Sequence, residues 1–356
     1  MTSHPEFNER TTGTEVASAF ADQIRGRTIL ITGVSPKGIG AATALAFASQ
    51  APELLILASR TKSKLEAVAD QIRTKFPHHT TCMKIELVSL DLSSQQSIRQ
   101  AVTEITRLTI NNKLDFLINN AAVNATTRQT TPEGLEMTFG TNHIGIFLFT
   151  NLLLPLLRNS AAAAKKTNGT AAATTTTSPR IINVSSAGHR LSPIRFSDYN
   201  FSDPHRKVPA EEDHVKNLPG AFAKCTEDGY NGMVTYGQSK TANILFTLYL
   251  QKYLASQGIG AYTLHPGTIE TELGRDQDPE VKRQFHKLEI YWKSQDEGCA
   301  TTMVAALDPA LIGTKGLYLV DCQISDPHPH AKDEVAAERL WKLSEDIVGE
   351  KFTLEN

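Results

Sequence analysis

The chain has 356 residues, 40% hydrophobic and 21% charged, enough to bury a sizeable α/β core. Its formal net charge of -2 excludes the basic excess that binding to nucleic acid or an acidic membrane surface requires. Four scattered cysteines, Cys82, Cys225, Cys299 and Cys322, exclude a disulfide framework, and no Cys-x-x-Cys spacing predicts a metal. The first twenty or so residues are polar and carry no signal-peptide core. The most apolar run, Ile144 to Leu157, is short for a membrane span and is broken by Thr150, Asn151 and Pro155. A cytoplasmic protein without a membrane span is expected.

Thr14 to Ile24 reads as a short amphipathic helix, and residues 1–26 as an N-terminal extension. Arg27 to Thr32 is a β-branched apolar run of the kind buried on both faces of a parallel sheet, and it ends directly in Gly33. Gly33-Val-Ser-Pro-Lys-Gly-Ile-Gly40 and a helix-forming segment follow. Strand, glycine turn and helix in that order open a dinucleotide-binding βαβ unit, because glycine lets the backbone approach a pyrophosphate at the helix N-terminus. Leu54 to Ala58 is the second strand. Just beyond it, where an acidic residue would select NAD, stand Ser59-Arg60, with Lys62 and Lys64 close behind. Lys37 in the glycine turn is a further candidate for a 2′-phosphate, so NADP(H) is the expected cofactor.

Thr61 to Phe76 is predicted helical, Lys84 to Leu90 a strand closed by Asp91-Leu92, and Ser97 to Leu108 a helix. The Asp91 carboxylate is placed to cap the next helix, to face an adenine, or both. Leu114 to Asn119 is the fourth strand and runs into the small residues Asn120-Ala121-Ala122. A long helical pattern covers Glu133 to Arg158, and Pro155 should bend or end it. Within it Asn142 needs polar partners, and His143 reads as packed structure. Residues 159–179 are Ala/Thr-rich without a periodic face, and are expected to form a mobile surface insertion.

Arg180 to Val184 is the fifth strand and ends in Ser185-Ser186. Residues 187–235 form a second insertion without clear period, and its aromatic residues Phe196, Tyr199, Phe201, Phe222 and Tyr230 either line a substrate pocket or pack the insertion itself. Tyr236-Gly-Gln-Ser-Lys240 then opens a long helix. Tyr and Lys four apart share a helical face, and an ammonium beside a phenol lowers its pKa from near ~10 towards neutrality, as proton transfer to a carbonyl near pH 7 requires. Gly260 to Leu264 is a sixth strand, Asp278 to Leu307 mostly helical, Gly316 to Val320 a final strand and Glu334 to Val348 a terminal helix. The expected fold is an α/β Rossmann-type doubly wound parallel sheet of about seven strands, formed by one domain over 27–356.

In combination and in this order, Thr32-Gly33…Gly38-Ile39-Gly40, Asp91-Leu92, Asn119-Asn120-Ala121, Asn142, Ser186, Tyr236…Lys240 and Pro266-Gly267…Thr271 resemble the short-chain dehydrogenase/reductase family. The Asn142-His143-x-Gly145 pattern and the long gap before Tyr236 resemble its branch of retinol dehydrogenases and WW-domain oxidoreductases, and both chain ends resemble fungal members of that branch. The resemblance implies Tyr236 as general acid or base, and Lys240 as its modulator and ribose anchor. Ser186, with Ser185 as the alternative, would bond the substrate oxygen. Asn142 would hold a water next to Lys240. It implies cofactor contacts from Gly33, Ser35, Lys37, Gly38, Ile39, Gly40, Arg60, Asp91, Leu92, Asn119, Ala121, Pro266, Gly267, Ile269 and Thr271. A homodimer through the helices at Glu133–Arg158 and Tyr236–Ala255 is a further implication, unless insertions cover them. The sequence departs from the family in a Gly33-to-Gly38 interval one residue wider than usual, in Asn-Asn-Ala-Ala at the fourth strand, and in the 50-residue distance from Ser186 to Tyr236. The expected activity is NADP(H)-dependent interconversion of a carbonyl and an alcohol on a small molecule. The substrate would be a bulky apolar or polyketide-like metabolite, or a retinoid or steroid alcohol. The rival is a non-catalytic NADP-binding regulator on the same fold.

Overall fold

Thr28–Thr32 forms the first strand, β1, with every residue buried, as its unbroken apolar run requires. The computed structural model describes residues 1–79, 82–167, 178–203, 206–216, 218, 220–275, 277–288, 290–314 and 317–355. Parallel strands β2 (Leu54–Ser59), β3 (Lys84–Ser89), β4 (Phe116–Asn119), β5 (Arg180–Val184), β6 (Gly260–His265) and β9 (Tyr318–Val320) join β1, with antiparallel β10 (Gln323–Ile324) at one edge. The order is β10-β9-β6-β5-β4-β1-β2-β3, so the strand order reverses between β1 and β4, where doubly wound sheets bind ligands.

The sheet therefore has eight strands where about seven were expected. The extra one arises because Asp321 and Cys322 both take positive φ, 49° and 66°, the backbone of a two-residue hairpin that turns the chain back along β9. A separate pair, β7 (Thr268–Ile269) and β8 (Trp292–Lys293), divides the expected 278–307 helix into α8 (Pro279–Lys287) and α9 (Gln295–Leu307).

Alternation along β1 assigns the two helical layers. Leu30 packs on one face with helices α4 (Gln95–Leu108), α6 (Ile146–Thr167), α7 (Gly232–Leu254) and α10 (Glu334–Val348). Ile29 and Ile31 pack on the other with α1 (Gly13–Ala19), α2 (Ile39–Ala48), α3 (Lys62–Lys75) and α9. The short α5 (Met137–Phe139) leads into a π-helical turn at Gly140–Gly145 and then into α6. A Cβ on Gly145 would sit 2.0 Å from the Leu92 carbonyl oxygen, so only glycine lets this turn pass against the end of β3.

One expectation changes here. Pro155 does not end the helix: α6 continues to Thr167, with Pro155 exposed while Leu153, Leu154, Leu156 and Leu157 anchor the buried side. The helix thus takes the start of the 159–179 stretch, whose residues 168–177 lie outside those described. Helix α10 packs on α6 and α7, the two helices through which a homodimer was expected, with Trp341 stacked 4.4 Å from Tyr249 and edge-on to Phe147 at 4.9 Å. One apolar helix, Met137–Lys165, is long enough to cross a membrane by length and composition, and 78% of its apolar window is buried inside the fold.

His143 is packed structure, as expected. Its Nε2 donates to Ser344 Oγ at 2.8 Å, since that hydroxyl donates its own proton to the Leu340 carbonyl. Burial pushes its pKa down to about 3, and His189, His265 and His330 are each pushed down to about 4 for the same reason. An unfolded chain takes up these protons below pH ~6.5 and the folded chain does not. Stability present above pH ~6.5 is therefore lost as the pH falls towards 4, at about 1.4 kcal/mol per unit for each fully titrating group. Urea midpoints at pH 7 and pH 5 should differ accordingly, and His143→Gln should narrow the gap; equal midpoints for the wild type would contradict it.

Candidate active site

The glycine turn sits at the C-terminal end of β1. Gly33 has φ of +71°, and a Cβ there would meet Ala121 Cα at 2.5 Å, so this backbone lies directly on the end of β4. The wider turn places Lys37 at φ 60° on its outer side, exposed and outside the cleft lining. A cleft of about 470 Å³ follows the turn. Of the expected cofactor residues it is lined by Gly33, Ser35, Gly38, Ile39, Arg60, Asp91, Leu92, Ala121 and Thr271. Gly40 supports the turn from below, where a Cβ would meet Gly33 O and Asn120 Nδ2, both at 2.7 Å.

Arg60 and Lys64 face this cleft from the start of α3. Lys64 Nζ reaches across it to Glu272 at 2.5 Å, joining α3 to the turn after Thr271. Asp91 lines the cleft while its Oδ1 accepts from the amide and hydroxyl of Ser93, at 2.9 and 2.7 Å. Ser94 caps α4 instead. Asn119 turns away from the cleft: its Nδ2 donates to Thr150 Oγ1 and Asn183 Oδ1 at 2.9 and 2.8 Å. Its neighbour Asn120 lines the cleft and donates to the Thr32 carbonyl at 2.9 Å, tying β4 to the glycine turn.

The residues expected to handle the proton stand beside this cleft, outside its lining. Asn231 caps α7 by accepting from the amides of Met233 and Val234, so the helix begins one turn before Tyr236 and not at it. The Tyr236 ring lies against Gly188, where a Cβ would be 3.1 Å away, and the Ser186 side chain acts to lower the pKa of the phenol. Ser185 is committed elsewhere, donating to the Lys240 carbonyl at 2.8 Å. Lys240 Nζ is 5.6 Å from the Tyr236 ring centre and donates to Val184 O at 2.9 Å and Asn243 Oδ1 at 3.2 Å. Asn142 uses its amide on the backbone of Val123, at 2.8 Å in both directions, and on Ser239 Oγ.

Burial acts against the simple expectation for this pair. It pushes Tyr236 up to about 12, offset in part by the Ser186 side chain, and pulls Lys240 down to about 7. Each group is thus held towards its neutral form, and Tyr236 is a protonated phenol at pH 7.

The serine turn has a second anchor that the sequence did not reveal. His189 Nε2 accepts the His328 backbone N–H at 3.0 Å, so its proton is on Nδ1 and is donated to Ser186 O at 2.7 Å. His265 Nδ1 accepts from Ala187 N at 3.1 Å on the other side. Pro266 and Gly267 follow β6. A Cβ on Gly267 would meet Lys293 Cδ at 2.6 Å, Ile269 lies against Gly298 of α9, and Thr271 caps a short turn. Lys293 pairs with Asp321 at 2.6 Å, another contact across distant segments with no local sequence signal.

Most aromatics of the 187–235 insertion pack it. Tyr230 is buried and donates to Glu136 at 2.8 Å, Phe222 packs at a tilt against Phe285, and Tyr199 lies beside Phe139. Phe201 alone of the five lines a second cavity of about 300 Å³, with Leu218, Val234, Arg128 and Arg195.

The residues fit a nicotinamide dinucleotide: a glycine turn that lines the cleft and packs too closely on Ala121 and Asn120 for side chains, cations at one end, and a phenol beside Ser186 near the other. Such a cofactor would supply the hydride, and the expected acid or base, Tyr236, stands beside the cleft. Residues 27–202 match the family described as short chain dehydrogenase. Human retinol dehydrogenase 14 is 33% identical over 338 residues, spanning 92% of this chain and 87% of its own. Human retinol dehydrogenase 13 is 34% identical over 331 residues, spanning 92% and 86%. A crystal structure of an uncharacterized protein from Mycobacterium paratuberculosis superposes with a TM-score of 0.61 at 26% identity, covering 93% of this chain and 96% of that one. A chain that shares this much with such dehydrogenases, over nearly all its length, belongs to the short-chain dehydrogenase/reductase family.

Proposed function

We propose that the protein is an NADP(H)-dependent carbonyl reductase of a bulky apolar, polyketide-like small molecule, with Tyr236 as the general acid. The observation that carries the reading is the buried phenol of Tyr236, its ring against Gly188 of the Ser186 turn and 5.6 Å from Lys240 Nζ. Reduction of a carbonyl needs a proton donor after hydride arrival, and a phenol held up to about 12 by burial is charged with its proton throughout the neutral range. Arg60 at the adenosine end, where no carboxylate follows β2, supports the phosphorylated cofactor. The apolar part of the second cavity, Phe201, Leu218 and Val234, lies at the N-terminal end of α7 and supports a substrate with an apolar body.

The relatives favour a second substrate reading, a retinoid- or steroid-type alcohol, on the same residues. Initial rates on a panel of aromatic polyketide ketones, steroid ketones and retinal, with NADPH and NADH separately, test both. The expected result is faster NADPH consumption with a ketone than with retinal. A preference for retinal moves the assignment to the second reading. No turnover on any carbonyl or alcohol with either cofactor overturns the enzyme reading and leaves a non-catalytic NADP-binding protein.

A further inference from the structure

Lys240 is buried, and among the described residues no charged group offsets its burial. The chain gives its ammonium two neutral acceptors, the Val184 carbonyl and Asn243 Oδ1. Asn243 lies one turn further along α7 and is fully buried. Its Nδ2 donates to the backbone carbonyl of Asn142 at 2.7 Å. The orientation of this amide is fixed by its partners, because an ammonium only donates and a carbonyl only accepts. Thr247 Oγ1 donates to the Asn243 carbonyl at 2.7 Å and receives Asn183 Nδ2 at 2.9 Å, so the residue sits at the head of a buried polar ladder reaching Asn119. A side chain thus bridges Lys240 and Asn142 directly.

We propose that Asn243 is a positioning residue of the proton machinery, a rigid neutral link that aims the Lys240 ammonium at Tyr236 without cancelling its charge. The proposal rests on the reading of Tyr236 as the acid. Neutrality is the essential property. A carboxylate at this place would hold the ammonium at least as firmly, but its field would oppose the ammonium's at the phenol and fix the lysine charge. It would also face the Asn142 carbonyl acceptor to acceptor. Of the elements around Lys240, α7 presents Tyr236 and Asn243, while β5 and the π turn present backbone carbonyls, so no other titrating group obscures the outcome.

The test compares wild type, Asn243→Asp and Asn243→Ser in two measurements: kcat and KM across pH, and an NMR titration of ¹³Cε-labelled lysine with Lys240→Arg used for assignment. Asn243→Asp should lower kcat by about 10²-fold. It should leave KM for NADPH within about 3-fold and move the Lys240 titration up by about 2 units. Asn243→Ser, a neutral hydroxyl with room for one water, should retain kcat within about 10-fold. The proposal is overturned if Asn243→Asp keeps wild-type kcat and leaves the Lys240 titration unmoved. It is equally overturned if both variants lose kcat and thermal stability in parallel with the titration unchanged, which is the mark of packing alone. A wild type without turnover sinks the reading of the site instead, and the Lys240 titration then still decides the part of Asn243.

Discussion

Tyr236→Phe is expected to lower kcat by about 10²–10⁴-fold while leaving NADPH affinity within a few-fold of wild type. The substitution removes one oxygen and nothing else of consequence. The ring stays packed against Gly188, α7 keeps its Asn231 cap, and Lys240 keeps both of its acceptors. Loss of the proton donor should therefore appear in turnover, and binding, read by quenching or enhancement of NADPH fluorescence, should persist. The sign of the wild-type pH profile follows from the same residue. Reduction needs the phenol and oxidation the phenolate, so reduction should hold through the neutral range while oxidation rises with pH towards the raised pKa of Tyr236. Turnover by the phenylalanine variant at more than a tenth of the wild-type rate would remove Tyr236 from the chemistry.

Arg60→Asp is expected to reverse cofactor preference, cutting kcat/KM with NADPH by about 10–10²-fold or more and improving it with NADH. A charge-assisted hydrogen bond of roughly 1.5–3 kcal/mol corresponds to about one to two decades in affinity. The aspartate would repel a 2′-phosphate and accept from free ribose hydroxyls. Arg60 is exposed at the cleft and Lys64 is already engaged with Glu272, so Arg60 should carry the larger share. The ratio of kcat/KM for the two cofactors reads this directly, and an unchanged ratio would place NADP selection elsewhere.

Local patterns made the sheet legible: β1, β2, β5 and β6 lie where unbroken apolar runs ended in glycine, serine or histidine. Tyr236 and Lys240 were legible because four residues on a helix fix their separation. What stayed hidden depends on partners far apart in sequence. Nothing near Asn243 announces the Asn142 carbonyl that receives it, and nothing near Lys64 announces Glu272. Asn119 was drawn towards the cofactor by its place in a motif, yet alternation on the strand turns it into the ladder and leaves Asn120 to face the turn. Pro155 misled because its effect on a helix depends on the burial of its neighbours, a tertiary fact.

The hydrogen bond from His328 to His189 spans 139 positions of sequence. The glycine turn, Arg60 and Ala121 are all laid down within the first 121 residues, whereas the His189 ring that holds the Ser186 carbonyl obtains its own backbone partner only when residue 328 arrives. During synthesis from the N-terminus, the cradle for the cofactor can take shape well before the serine turn is held in its final form. A nascent chain would then build the glycine-turn side of the cleft first, and the serine turn would be held in place only as the segment around residue 328 docks.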